Sequence, residues 1–193
     1  MDKHQLVNLC SRTWSLTALS LMARGVSCRV SPLAAAAGCG RTSMGASVEH
    51  LISLGLLERN PGHGHPLRPE YRLTPGGIYV AEWAKGLSNL TKSDQDQALL
   101  RNKWSLPLIS CLPKERRYSE IRRELIPITD RALSGCIAKL TEESWIKRNV
   151  SINISPPTVT YRTLRAGQKI HTHLLQMPKF EYFGPVSVND PDG

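Results

Sequence analysis

With 193 residues the chain can be one domain or two small ones. Two units of ~80–90 residues would each still bury a workable core. Its 40% hydrophobic and 21% charged content is that of a soluble globular protein, and the formal net charge of +9 draws it toward polyanions, nucleic acid or an anionic membrane surface. No apolar run approaches the ~18–20 residues that span a bilayer, and Met1-Asp2-Lys3-His4-Gln5 does not begin a secretory signal. Five cysteines without a CxxC pair argue against a disulfide framework or a structural zinc site, so a cytoplasmic protein without membrane association is expected.

In chain order, residues 5–24 read as a first helix. Leu6, Leu9, Trp14, Leu16, Leu19 and Leu21 form its apolar side, and Gly25 stops it. Leu33 to Ala37 is a short alanine-rich helix with Gly38 in the left-handed cap position. Gly40 to Leu51 is a further helix whose Met44, Val48 and Leu51 fall at i, i+4 and i+7. Leu54 to Arg59 leads into a hairpin with Pro61-Gly62-His63-Gly64-His65-Pro66 as its loop and Glu70 to Thr74 as its return strand. A connecting helix over 76–90 carries Ile78, Val80, Trp83 and Leu87. The polar break Thr91-Lys92-Ser93-Asp94 follows, with Ser93 or Asp94 placed to cap the next helix.

The chain then repeats itself. Trp14 and Trp104 stand 90 residues apart, each followed by Ser-Leu, and Tyr71 and Tyr161 stand 90 apart, each followed by Arg. Leu56-Leu57-Glu58-Arg59 matches Trp145-Ile146-Lys147-Arg148 at a spacing of 89, and Gly77 matches Gly167 at 90. Two copies of one fold are expected, over 1–90 and 91–176, followed by an extended or disordered tail over 177–193.

In the second copy, Arg101 to Ile109 reads as a helix ending near Cys111, because Pro113 cannot continue it. Arg116 to Leu125 reads as a basic helix, and Asp130 to Glu142 as a helix capped by Thr129. A two-stranded hairpin runs from Trp145 through Pro156-Pro157-Thr158-Val159-Thr160-Tyr161. A last helix spans Gln168 to Gln176, after Gly167. This order of segments resembles the HxlR family of bacterial transcription regulators, itself close to the MarR-like winged helices. Leu33 to Leu51 also resembles the helix-turn-helix core of MarR-like proteins in its spacing. The resemblance implies an α+β, mainly α, fold of two tandem winged helix-turn-helix domains, with double-stranded DNA as partner.

The second helix of a helix-turn-helix enters the major groove. With Leu133, Ile137 and Leu140 inward, a turn of ~100° per residue sends Arg131, Ser134, Gly135 and Ala138 outward. Arg131 is placed to hold a phosphate or read guanine, and Ser134 to meet bases or backbone beside the Thr129 cap. Arg116, Arg117, Arg122 and Arg123 gather around the preceding helix as phosphate clamps, partly offset by Glu120 and Glu124. The wings add Arg59, Arg68 and Arg72, then Lys147, Arg148 and Arg162. In the first copy the outward face is Thr42, Gly45, Ala46 and Glu49, with Arg41 and Ser43 beside Thr42, which makes a degenerate reader.

Two positions depart from the pattern of the family it resembles. A basic residue usually follows the Pro-Pro pair, where this chain has Thr158, and a Gln-Arg-like pair usually stands where it has Gly135-Cys136. Both changes remove DNA contacts. HxlR-like proteins act as homodimers, and a chain with two copies can imitate that dimer alone. Two unlike helices about 34 Å apart would then face an imperfect palindrome. A monomeric pseudo-dimer and a homodimer are both left open.

Catalytic motifs are thin. Gly40 to Gly45 misses the GxSxG spacing by one residue, and no P-loop or dinucleotide fingerprint occurs. Neither a cofactor nor a metal is expected, because His63, His65, His171 and His173 lack ligand partners at suitable spacing. Cysteines act as redox sensors in some HxlR-like regulators, but Cys10, Cys111 and Cys136 read as buried, inert thiols. Trp14 and Trp104 read as core anchors or, alternatively, as the lining of a pocket between the copies. A small-molecule effector or an enzyme's substrate bound there is the competing view of the chain.

Overall fold

The computed structural model describes residues 3–60, 69–91, 93–151 and 157–180. The N-terminal half runs α1 (Lys3–Leu9), α2 (Ser15–Ala23), α3 (Val30–Ala37), α4 (Arg41–Ser53), β1 (Leu57–Arg59), β2 (Tyr71–Leu73) and α5 (Pro75–Leu90). The C-terminal half runs α6 (Asp94–Leu100), α7 (Ser105–Ser110), β3 (Arg116–Arg117), α8 (Tyr118–Glu124), α9 (Asp130–Glu142), β4 (Ile146–Ser151), β5 (Thr158–Thr163) and α10 (Arg165–Leu174). Strands β1 and β2 pair antiparallel, and β3, β5 and β4 form a second antiparallel sheet in that order. The protein is therefore mainly helical with small sheets, the composition of a winged helix-turn-helix. No described helix is long and apolar enough to cross a membrane.

Local chemistry explains the helix ends. Thr129 caps α9 by accepting from the amide of Ala132 at 3.2 Å, and Thr74 caps α5 by accepting from Gly77 at 3.0 Å. Each such cap contributes about 1 kcal/mol. Ser93 accepts from the Asp96 amide at 3.0 Å, and Asp96 in turn accepts from the indole N–H of the fully buried Trp145 at 2.7 Å. Gly38 closes α3 at φ 65°, as its left-handed position requires.

Corresponding places in the two halves show the same bonds. After α4, Gly55 (φ 69°) is followed by Leu56, whose amide donates to Leu51 at 3.0 Å. After α9, Ser144 (φ 58°) is followed by Trp145, whose amide donates to Leu140 at 2.9 Å. Both tie off their helix with a left-handed residue. Gly77 and Gly167 then pass so close to the carbonyls of Leu56 and Trp145 that a Cβ would lie 2.0 Å from the oxygen in each case. No side chain fits there.

Four expectations are corrected. The first helix, placed over 5–24, is two helices that break between Leu9 and Ser15, and the helix over Arg101 to Ile109 likewise begins only at Ser105. No glycine or proline marks either break; at the second, Asn102 turns the chain by accepting from the Trp104 amide at 3.0 Å. Arg116 and Arg117 do not begin a helix. They form strand β3, paired with Tyr161 and Thr160, so the hairpin becomes three strands. The last helix starts at Arg165, not Gln168, so that Gly167 lies in its first turn against Trp145.

One continuous apolar core runs through both halves. Helix α1 packs on α7, and α5 on α10. Lys3 of α1 pairs with Glu124 of α8, and Trp83 of α5 meets His173 of α10. Beyond α10, residues 177–180 form no helix or strand, although Met177 and Phe180 are buried and the Phe180 carbonyl accepts from Gln5. The rest of the 177–193 tail lies outside the described residues, as do Arg68, the loop over 61–66 with His63 and His65, and Pro156.

Candidate nucleic-acid interface

Helix α9 buries Leu133, Cys136, Ile137 and Leu140 and leaves Arg131, Ser134, Gly135 and Ala138 exposed. That is the outward face the spacing predicts. Among the described residues no ion pair engages Arg131, which is exposed in the first turn of α9. Its neighbours are fixed from α8. Arg122 pairs with Asp130 at 2.6 Å, and the Tyr118 hydroxyl lies 3.2 Å from both Asp130 Oδ1 and Ser134 Oγ. Tyr118 thereby ties the start of α9 to α8, a contact the spacing does not predict. A hydroxyl-bearing aromatic at the start of the preceding helix was the available signal.

The four arginines around α8 divide into two kinds. Arg116 is drawn inward by Glu124 at 2.7 Å, and its Nε is buried without a hydrogen-bond partner among the described residues. Glu124 holds Lys3 as well, so this group is a structural clamp on α1. Arg122 is occupied by Asp130. Arg117 and Arg123 are exposed with no ion pair among the described residues, as are Lys147 and Arg148 on β4. The Arg117 amide donates to Glu120 at 2.7 Å, which holds that carboxyl below the usual carboxylate range. Arg162 lies near Glu115, which accepts from Asn149 at 2.6 Å and from Thr160. Those two hydrogen bonds are the main reason its carboxyl is held low.

The N-terminal half presents a different surface. Arg41, Thr42 and Ser43 are exposed at the start of α4. Farther along, acids neutralise the basic residues. Arg59 lies 3.5 Å from Glu49, Arg72 2.6 Å from Glu58, and Arg29 3.5 Å from Glu70. Of the proposed phosphate contacts around α8 and α9, Arg117, Arg123 and Arg131 stay exposed while Arg116 and Arg122 are ion-paired; in the N-terminal half Arg41 stays exposed while Arg59 is ion-paired.

Depressions border these elements. A cavity of about 220 Å³ lies between α2, α3, α5 and α6, with Arg24, Gln97 and Arg101 among its polar walls. Neither candidate tryptophan lines it. Trp14 carries the Arg101 guanidinium 5.0 Å above its ring, and Trp104 lines an open groove along α9 with Arg131, Gly135 and Lys139. Among the described residues no group of three or more His, Cys, Asp or Glu side chains gathers as a metal site. Burial pushes the thiols of Cys10 and Cys136 up to about 12, and that of Cys111 is also raised.

Residues 99–183 match the sequence model of the HxlR-like helix-turn-helix family, a span that takes in α7 to α10. The C-terminal half is therefore similar to a class of helix-turn-helix regulators. A crystal structure described as a MarR-family transcriptional regulator from Porphyromonas gingivalis W83 aligns at 24% identity over 40% of this chain and 76% of its own, with a TM-score of 0.38. No curated protein matches the chain.

Proposed function

We propose that this protein is a DNA-binding transcription regulator in which the two halves act as a pseudo-dimer of winged helices on an imperfect palindrome. The observation that carries the proposal is the C-terminal surface. An exposed recognition-type helix with Arg131 in its first turn and Ser134 one turn on is flanked by Arg117, Arg123, Lys147 and Arg148, which are exposed and in no ion pair among the described residues. Such a surface neutralises phosphates on both sides of a groove while one helix meets base edges. The two-copy arrangement is supported by the paired bonds at Gly55 and Ser144, by Gly77 and Gly167, and by the contact of Trp83 with His173. The test is binding of labelled duplex DNA at graded salt. Affinity is expected to fall steeply from 50 to 200 mM. Absence of binding at low salt would refute the proposal.

A second reading is favoured by the cavity between α2, α3, α5 and α6. Its volume, small for a ligand pocket, and its two arginines suit a small anionic effector that bridges the halves. Ligand-induced thermal stabilisation without any effect on DNA binding would make this the primary role.

A further inference from the structure

We propose that Glu49 selects the half-site read by the N-terminal half, accepting a hydrogen bond from the exocyclic amine of a cytosine in the major groove. This rests on the DNA-binding reading above. Helix α4 buries Met44, Ser47, Val48 and Leu51, so Glu49 projects from the opposite side together with Thr42 and Ala46. Its side chain is 56% exposed. The comparison with α9 isolates it. Glu49 and Ala138 stand at corresponding places on the two helices, and Arg59 and Arg148 at corresponding places on the following strands, each pair 89 residues apart. Where the C-terminal half has a methyl group and an arginine in no ion pair among the described residues, the N-terminal half has a carboxylate and an arginine 3.5 Å from it.

A carboxylate facing a duplex is repelled by phosphates unless a cation offsets it and a donor receives it. Arg59 supplies the first. The contact is a single long N–O approach between two exposed groups, so it constrains the carboxylate weakly and leaves it free to re-aim. The major groove supplies the second, since its base donors are the amines of cytosine and adenine. Adenine places the acceptor N7 beside its amine, which opposes the second carboxylate oxygen. Cytosine places a C–H there. The small side chain of Ala46 lets the helix come near enough for contact.

The test uses the full chain and a duplex selected from a random library, with affinity measured for all four bases at every position. Wild type is expected to require cytosine at one position of the weaker half-site, losing about tenfold on other bases. Glu49→Gln moves that preference to adenine, since an amide pairs with N6 and N7. Glu49→Ala removes the preference and leaves the other half-site unchanged. A uniform gain in affinity for every duplex with Glu49→Ala, and no change in base preference, would overturn the proposal by reducing Glu49 to a neutraliser of Arg59. No change of either kind would overturn it by removing α4 from the DNA. Loss of all DNA binding by the wild type would instead strike the broader reading, and Arg131→Ala reports on that independently.

Discussion

Trp83 and His173 stand 90 residues apart and exchange hydrogen bonds. The indole N–H donates to the His173 carbonyl at 3.1 Å, and His173 Nε2 donates to the Trp83 carbonyl at 2.9 Å. Their rings stack with centroids 5.7 Å apart and planes 15° from parallel. The pseudo-dimer proposed above calls for reciprocal contacts of this kind, as a two-fold axis leaves at an isologous interface. The contact joins α5 to α10. Trp83→Phe keeps most of the ring but removes the indole N–H, leaving the His173 carbonyl with the Gln176 amide at 3.0 Å, at an expected cost of about 0.5–1.5 kcal/mol. Urea unfolding of the variant against wild type measures it.

Gly77 and Gly167 give a sharper test of the hairpin-to-helix junctions. A Cβ at either would sit 2.0 Å from a backbone carbonyl oxygen, with no flexible side chain to yield. Gly167→Ala is expected to cost about 3 kcal/mol or more, by displacing α10 from Trp145. Gly135→Ala, where nothing lies within 4 Å of the added atom, is the control. Similar thermal midpoints for the two variants would contradict this geometry.

Arg131→Ala is expected to weaken binding to a selected duplex more than to random DNA, because its side chain is exposed in the first turn of α9. Arg123→Ala should weaken both about equally and make the salt dependence shallower. Equal losses with Arg131→Ala would assign that residue to phosphate alone.

Thiol reactivity follows burial. Cys10 and Cys136, pushed up to about 12, should resist alkylation at pH 8 in the native state, while Cys28 and Cys39, which are less buried, react first. Mass spectrometry of partly labelled protein reads the order directly.

His171 adds a pH dependence. Burial holds its imidazole below the ordinary 6.5, so the fold favours the neutral ring. Its contribution to stability is present above 6.5 and is lost as pH falls from there through the lower folded-state value. Glu115 and Glu120 are held below 4.5, so their contributions disappear only in more acid solution. The urea midpoint should drop between pH 7 and pH 5, and less so in His171→Gln.

Much of the fold was legible because its signals are local. The Asp130–Glu142 helix shows its cap, its stripe and its outward face in consecutive residues, and Gly38 marks the end of α3 by its own backbone freedom. Strand β3 was not legible, since two arginines make a strand only when Tyr161 and Thr160 are present to pair with them. The same holds for the site. Nothing in the sequence says that Arg116 turns inward to Glu124 or that Glu49 meets Arg59, because both pairings depend on how a helix lies against a strand. The Trp83–His173 contact was hidden more deeply, because the two residues differ in type and self-comparison passes over them.

The most direct test of the pseudo-dimer is the stoichiometry and footprint on a selected duplex. Native mass spectrometry combined with hydroxyl-radical footprinting should find one chain per duplex protecting two successive major grooves about 34 Å apart, one more strongly than the other. Two chains per duplex, or a single chain protecting one groove only, would contradict it.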